Sequence, residues 1–176
     1  MELWLRTVDD LETTNHEEID RFFSSKPHDS HLHVSDTFLH LGADIIGAYV
    51  YISDGATQQT GIEHLGTVDW ILVECETWSM IPLENLIAHR EGTHTKIAAM
   101  ISTPLEAQGA GFALEEGVDA LVITPEATML EAALSVKAQR LERAEPDHAV
   151  KEQSMESIEL TPFRVESIEE AGLGDR

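Results

Sequence analysis

From residue 68 onward the sequence repeats one pattern, a short apolar run followed by a segment of helical periodicity with its own start and stop signals. That pattern constrains the fold more than any other feature. Residues 68–73 form a compact apolar run and read as a buried strand. Residues 82–90 follow as a helix, with Leu83, Leu86 and Ile87 on one face and Pro82 at the first helical position. Residues 96–101 read as the next strand. Thr103-Pro104-Leu105-Glu106 is a capping box, in which the threonine hydroxyl accepts from the Glu106 amide while the glutamate reaches back. The helix it opens is expected to run to Glu116 and stop at Gly117. Residues 118–123 read as another buried strand. Thr128-Met129-Leu130-Glu131 repeats the box and opens a helix carrying Leu130, Ala133, Leu134, Val136 and Leu141.

Alternating strands and helices of this kind give parallel strands joined by right-handed crossovers. Strands recur about every 25 residues, the spacing of βα units in a TIM-type barrel or a doubly wound sheet. A complete barrel of that type needs about 250 residues, and the chain has 176. About five such strands are expected, so the barrel is expected to be incomplete or distorted.

The rest of the chain is less regular. Residues 2–8 read as a first strand. Ile19, Phe22 and Phe23, spaced by three and four, suggest a short amphipathic helix in an otherwise polar stretch. Residues 24–30 read as loop, with Pro27 as breaker. Residues 43–52 read as a strand, closed by Asp54-Gly55, and 56–67 as a short helix or loop. Beyond the helices, 147–157 reads as a charged linker, and 158–168 alternates through Ile158, Leu160, Phe163, Val165 and Ile168 like a strand. The expected organisation is a βα-repeat, barrel-like domain at 1–146, the linker, and the beginning of a β module at 158–176. The fold class is α/β, with partial TIM-barrel-like parallel βα units.

Charge narrows the partners. Eleven basic against 33 acidic residues leave a net −22, a surface that repels phosphate backbones and anionic membranes. A small-molecule substrate is expected, rather than nucleic acid or membrane. Lysine is scarce, being confined to Lys26, Lys96, Lys137 and Lys151. Such a surface suits concentrated salt, where self-repulsion is screened, and equally fits a merely acidic protein. The single cysteine, Cys75, rules out an internal disulfide and fits a reducing cytosol. The acidic start is unlike a signal peptide and no apolar run approaches the roughly 20 residues of a membrane span, so a cytoplasmic protein is expected.

One segment is specific. Trp78-Ser79-Met80-Ile81-Pro82-Leu83-Glu84-Asn85-Leu86-Ile87-Ala88 closely resembles the W-x-x-I-P-L-E-N-L-I-A signature of the archaeal-type 3-dehydroquinate synthase family (3-dehydroquinate synthase II). Other segments follow in the family's order. Thr95-Lys96-Ile97-Ala98 resembles its T-K-L-I-A strand, and Leu114-Glu115-Glu116-Gly117-Val118-Asp119-Ala120-Leu121 its L-E-x-G-V-D-G-V. Gly172-Leu173-Gly174-Asp175-Arg176 resembles the G-M-G-D-R that opens the family's C-terminal β region. Gly47-Ala48-Tyr49-Val50 and Leu3-Trp4-Leu5 are weaker echoes. The resemblance covers most of residues 43–176. It implies NAD-dependent oxidative deamination and cyclisation of an amino-heptulosonate to 3-dehydroquinate, an entry to aromatic amino-acid biosynthesis. The chain departs from the pattern in length, being about half that expected for one module against two. It also carries Thr77 where aspartate usually precedes the tryptophan, and Thr124 where aspartate is expected after a strand. A missing C-terminal β module or a homo-oligomer is therefore an expected partner. A catalytically silent fragment or scaffold remnant is the alternative.

Candidate chemistry clusters where strands hand over to helices, the edge at which βα folds bind ligands. Glu84 is a candidate for moving a proton and Asn85 for holding a carboxylate or carbonyl; the competing role for Glu84 is to complement the helix dipole. Glu74 and Glu76 flank Cys75 at a strand end, where adjacent side chains point opposite ways, and one of the two glutamates can face a pocket as acid or base. Cys75, with no positive neighbour, reads as a small apolar residue rather than a nucleophile. Trp78 either stacks on a substrate or plugs the mouth. Lys96 is an imine-forming candidate set against its position at a strand start, the stability face of a barrel. His31 and His33 in Asp29-Ser30-His31-Leu32-His33 share a face and support a rival reading, a metal-dependent hydrolase. Gly109-Ala110-Gly111 lies within an expected helix and is not a dinucleotide fingerprint, so no residues mark where NAD would bind.

Overall fold

The computed structural model describes residues 1–7, 17–77 and 80–144. The segments at 147–157 and 158–176, with Trp78 and the terminal Gly-Asp turn, lie outside the described residues.

Strand β1 (Glu2–Thr7) pairs in parallel with both β2 (Arg21–Ser24) and β8 (Ala120–Ile123), and this double pairing closes an eight-stranded barrel in the order β1 to β8. The strands between are β3 (Leu32–Ser35), β4 (Phe38–Leu41), β5 (Asp44–Ile52), β6 (Trp70–Cys75) and β7 (Lys96–Met100). Only β4 runs against its neighbours; every other pairing is parallel. Helix α1 (Gly55–His64) joins β5 to β6, α2 (Met80–Arg90) joins β6 to β7, α3 (Pro104–Phe112) joins β7 to β8, and α4 (Ala127–Ala144) follows β8.

The expectation of about five strands and an incomplete barrel is corrected here. Residues 21–41 supply three strands of four residues each. A hairpin takes the place of helical crossovers, which is how eight strands fit into so short a chain. The hairpin turns at Asp36 and Thr37, where Asp36 has a φ of 56°, a value that aspartate tolerates in tight turns. The short helix expected around Ile19, Phe22 and Phe23 is instead the entry to β2. Phe23 points into the barrel and Phe22 packs outside. With both faces apolar, a spacing of three and four is indistinguishable from helical periodicity.

Strands β1, β5, β6, β7 and β8 bury side chains on both faces, which explains their near-continuous apolar runs. Leu3, Leu5, Val50, Ile52, Ile71, Val73, Ile97, Leu121 and Ile123 face outward, under the helices. Trp4, Phe23, Leu32, Leu39, Trp70, Leu72, Ala98, Ala120 and Val122 fill the interior. Small Ala98 and Ala120, paired across β7 and β8, leave room for the two indoles.

The Thr103–Glu106 capping box is present with both bonds, at 3.2 and 3.1 Å. An analogous box opens α1, where Asp54 and Thr57 cap each other. The second expected box, at Thr128, is not formed. Helix α4 starts at Ala127, with the Glu126 carbonyl accepting from Met129 and Leu130, so Thr128 lies inside the helix. Helix α2 starts before Pro82, whose missing N–H costs nothing in a first turn. Helix α3 ends at Phe112 rather than Glu116. A 3₁₀ turn, Ala113–Glu115, follows, and Gly117 takes φ of 67° against the Gly111 carbonyl, where a Cβ would collide. Gly111 meets Val136 as closely, which sets α3 hard against α4. On α4, Met129, Ala133 and Val136 are buried, whereas Leu141 is exposed.

Candidate active site at the carboxyl mouth of the barrel

The two ends of the barrel differ. At the amino end, Glu2 Oε2 accepts from the Arg21 Nε and the Trp4 indole, each at 2.8 Å. Trp4 and Trp70 pack with ring centroids 4.8 Å apart, and Arg21 and Lys96 lie over the indoles. Nearby, Asp119 accepts from Arg90 and from the Ile97 amide, while Arg90 also bonds Glu116. The buried Thr95 hydroxyl donates to the Val68 carbonyl and accepts from the Gly66 amide. The T-K-x-A and L-E-x-G-V-D segments thus serve this end structurally.

The carboxyl end is open. One cleft of about 180 Å³ is lined by Phe23, Ser24, Ser25, Val34, Tyr49, Glu74 and Met100. A second, of about 320 Å³, is lined by Arg6, Thr7, Phe23, Ser25, Thr124, Pro125 and Glu126. They share Phe23 and Ser25. The residues come from the ends of β1, β2, β3, β5, β6, β7 and β8, so the barrel itself fixes their spacing. Tyr49 sits opposite Leu72 in the β5–β6 register, and its hydroxyl reaches one layer up to donate to Glu74 Oε2 at 2.5 Å. Burial, then the bond to Glu74 and its charge, pushes the Tyr49 phenol well above its ordinary range, so it stays protonated and donating. Glu126 is held below the usual carboxylate range, chiefly by the Thr124 hydroxyl and its own amide, with a smaller contribution from Arg6.

The candidates named from sequence scatter. Glu74 lies in the cleft. Glu76, one residue past the end of β6, is exposed and lines neither cleft. Cys75 turns outward toward the helices, and burial, with Glu106 and Glu74 nearby, raises its thiol to about 11. Glu84 and Asn85 are half-buried on α2 and line neither cleft; the Asn85 carbonyl bonds His89. Lys96 is at the opposite mouth, over Trp70. His31 stacks on His28 and His33 on His40. Among the described residues no group of three or more His, Cys, Asp or Glu is placed to hold a metal ion. Arg6, Tyr49 and Thr124 were not singled out as chemistry from sequence. Tyr49 lies in the weaker Gly-Ala-Tyr-Val echo, and strand parity places it on the Glu74 side, a signal that depends on knowing the register.

The resemblance implies NAD, and the Gly109-Ala110-Gly111 segment gives it no phosphate cradle. Gly109 and Gly111 sit inside α3, where added Cβ atoms would strike Met80 and Val136, so they serve helix packing. The clefts at the mouth are at or below the low end of ligand-pocket volumes, about 300 Å³. No helix among the described residues is long and apolar enough to cross a membrane.

Fold and mouth together define the class: a closed α/β barrel whose polar side chains converge past the carboxyl ends of its strands, the arrangement barrel enzymes use for small-molecule chemistry. Residues 5–137 match the family model described as the 3-dehydroquinate synthase II N-terminal domain. The chain belongs to that family. Similar curated proteins carry the name 3-dehydroquinate synthase. The one from Methanococcus maripaludis (strain C5) is 32% identical over 73% of this chain and 33% of its own length. That from Methanosarcina mazei is 33% identical over 74% of this chain and 31% of its own, and that from Nitrosopumilus maritimus 31% over 66% and 30%. The chain spans about a third of the length of the curated relatives it matches. No solved structure gives a significant match.

Proposed function

We propose that the chain carries the proton-handling part of a 3-dehydroquinate synthase II-type reaction, the NAD-dependent oxidative deamination and cyclisation of an amino-heptulosonate. The family supports the reaction class, and NAD dependence comes from the family resemblance alone. The observation that carries the proposal is the Tyr49–Glu74 pair in the carboxyl-mouth cleft. Tyr49 occupies one oxygen of Glu74 and fixes the carboxylate's rotamer. The other oxygen is left to accept a proton from a substrate hydroxyl or ammonium entering beside Ser24 and Ser25. Val34, Phe23 and Met100 form the apolar wall that limits water around the pair.

The test is formation of 3-dehydroquinate from the amino-heptulosonate with NAD, comparing wild type with Glu74→Gln, Tyr49→Phe and Glu84→Ala. Glu74→Gln should lower turnover by about 10²–10⁴-fold, the usual worth of a positioned acid–base group. Glu84→Ala should keep it. Loss in Glu84→Ala with retention in Glu74→Gln would move the site to the rim of α2. No product from wild type would favour the silent scaffold.

A further inference from the structure

In a chain with 33 acidic and 11 basic residues, a cation that forms no ion pair stands out. Arg21 bonds Glu2, Arg90 bonds Asp119 and Glu116, Lys137 bonds Asp20, Arg140 donates to the Val118 carbonyl, and Arg143 lies over the Phe112 ring. Arg6 alone of the described arginines makes no hydrogen bond, ion pair or ring contact with a described residue. It projects from the carboxyl end of β1 into the 320 Å³ cleft, together with the hydroxyl-bearing Thr7, Ser25 and Thr124. An arginine offers a planar fork of N–H donors that matches a carboxylate or a phosphate, and hydroxyls beside it can complete either one.

Charge decides between them. Glu126 lines the same cleft and Glu74 the adjoining one. With one guanidinium set against these carboxylates, a singly charged carboxylate meets less repulsion than a phosphate dianion. Phe23 and Pro125 supply an apolar floor for a carbon chain.

We propose that this cleft seats the carboxylate of an organic-acid substrate on Arg6, with Ser25 as a flanking hydroxyl donor, and that Arg6 thereby orients the substrate's far end toward Glu74. This rests on reading the carboxyl mouth as the substrate site. Arg6 is a positioning residue, since the reacting atoms would lie at Glu74 and not at the guanidinium.

The experiment is a titration of the full chain, labelled with ¹⁵N-arginine, with acetate and separately with inorganic phosphate at matched ionic strength in chloride. The Arg6 side-chain resonance is assigned by its loss in Arg6→Gln. A saturable shift of that resonance with acetate is expected, with phosphate at least about tenfold weaker, the factor set by about 1.4 kcal/mol. Thr124→Asp places a competing carboxylate beside Arg6 and should abolish the shift. Ser25→Ala, a milder change, should weaken it several-fold, the worth of one hydrogen bond. Phosphate binding as tightly as acetate would overturn the carboxylate assignment, and no saturable shift with either anion would remove the site. Turnover plays no part in this readout. Acetate binding that persists while Glu74→Gln leaves turnover intact would remove the acid–base role and leave the anion seat standing. The reverse pattern would remove only the seat.

Discussion

At the amino mouth Glu2, Arg21, Trp4, Trp70 and Lys96 satisfy one another, whereas at the carboxyl mouth Arg6, Ser25 and one oxygen of Glu74 face a cleft. The first arrangement holds the barrel shut. The second leaves polar groups unspent, which costs stability and is how a binding site differs from a core. The same strands supply both ends, so parity and height along a strand decide which job a residue does: Glu2 braces, and Arg6, four residues on in the same strand, is available.

That contrast predicts a gradient of effects. Trp4→Ala should cost the most, about 3–5 kcal/mol, because a fully buried indole leaves a cavity at the centre of the plug. Urea unfolding reads it, and a loss under about 1 kcal/mol would show that the amino mouth is no strut. Asp119→Ala comes next, at about 2–3 kcal/mol, since Arg90 and the Ile97 amide lose a charged acceptor together. Thr103→Ala should cost about 1 kcal/mol, a single helix cap away from both mouths.

Tyr49→Phe should cost least, within about 1 kcal/mol, while turnover falls. It carries a pH signature as well. The folded-state phenol lies above its ordinary 10.0, so its contribution to stability is whole below pH 10.0 and is lost as pH rises beyond it. The thiol of Cys75, raised from 9.0 to about 11, gives a loss of the same sign beginning near pH 9.0, so the comparison belongs in a Cys75→Ala background. There, the chain that keeps Tyr49 should lose stability above pH 10.0 through this group, and the Tyr49→Phe variant should lack that loss. Equal slopes would mean that the Tyr49 hydroxyl is not held as described.

Long periodic segments were legible in the sequence. The run at 68–144 gave its strands and helices in order, because strands buried on both faces and amphipathic helices leave periodicities that need no tertiary knowledge. The Thr103 box was legible because both partners lie within one turn. Strands β2 to β4 were not, since four residues are too few to display a period and their partners lie elsewhere in the chain. The site was legible only in Glu74. Glu84 and Asn85 carry the strongest motif, yet α2 turns Leu83, Leu86 and Ile87 inward and leaves both of them outside the clefts.

The order of βα units, the family and the acidic surface were written in the chain itself, because each depends on residues adjacent in sequence or simply summed along it. Closure of the barrel, the bracing of one mouth and the convergence of Arg6, Tyr49, Glu74 and Thr124 at the other were decided by tertiary structure. Each of these depends on the register between strands far apart in sequence, and a shift of one residue would turn every one of those side chains to the opposite face.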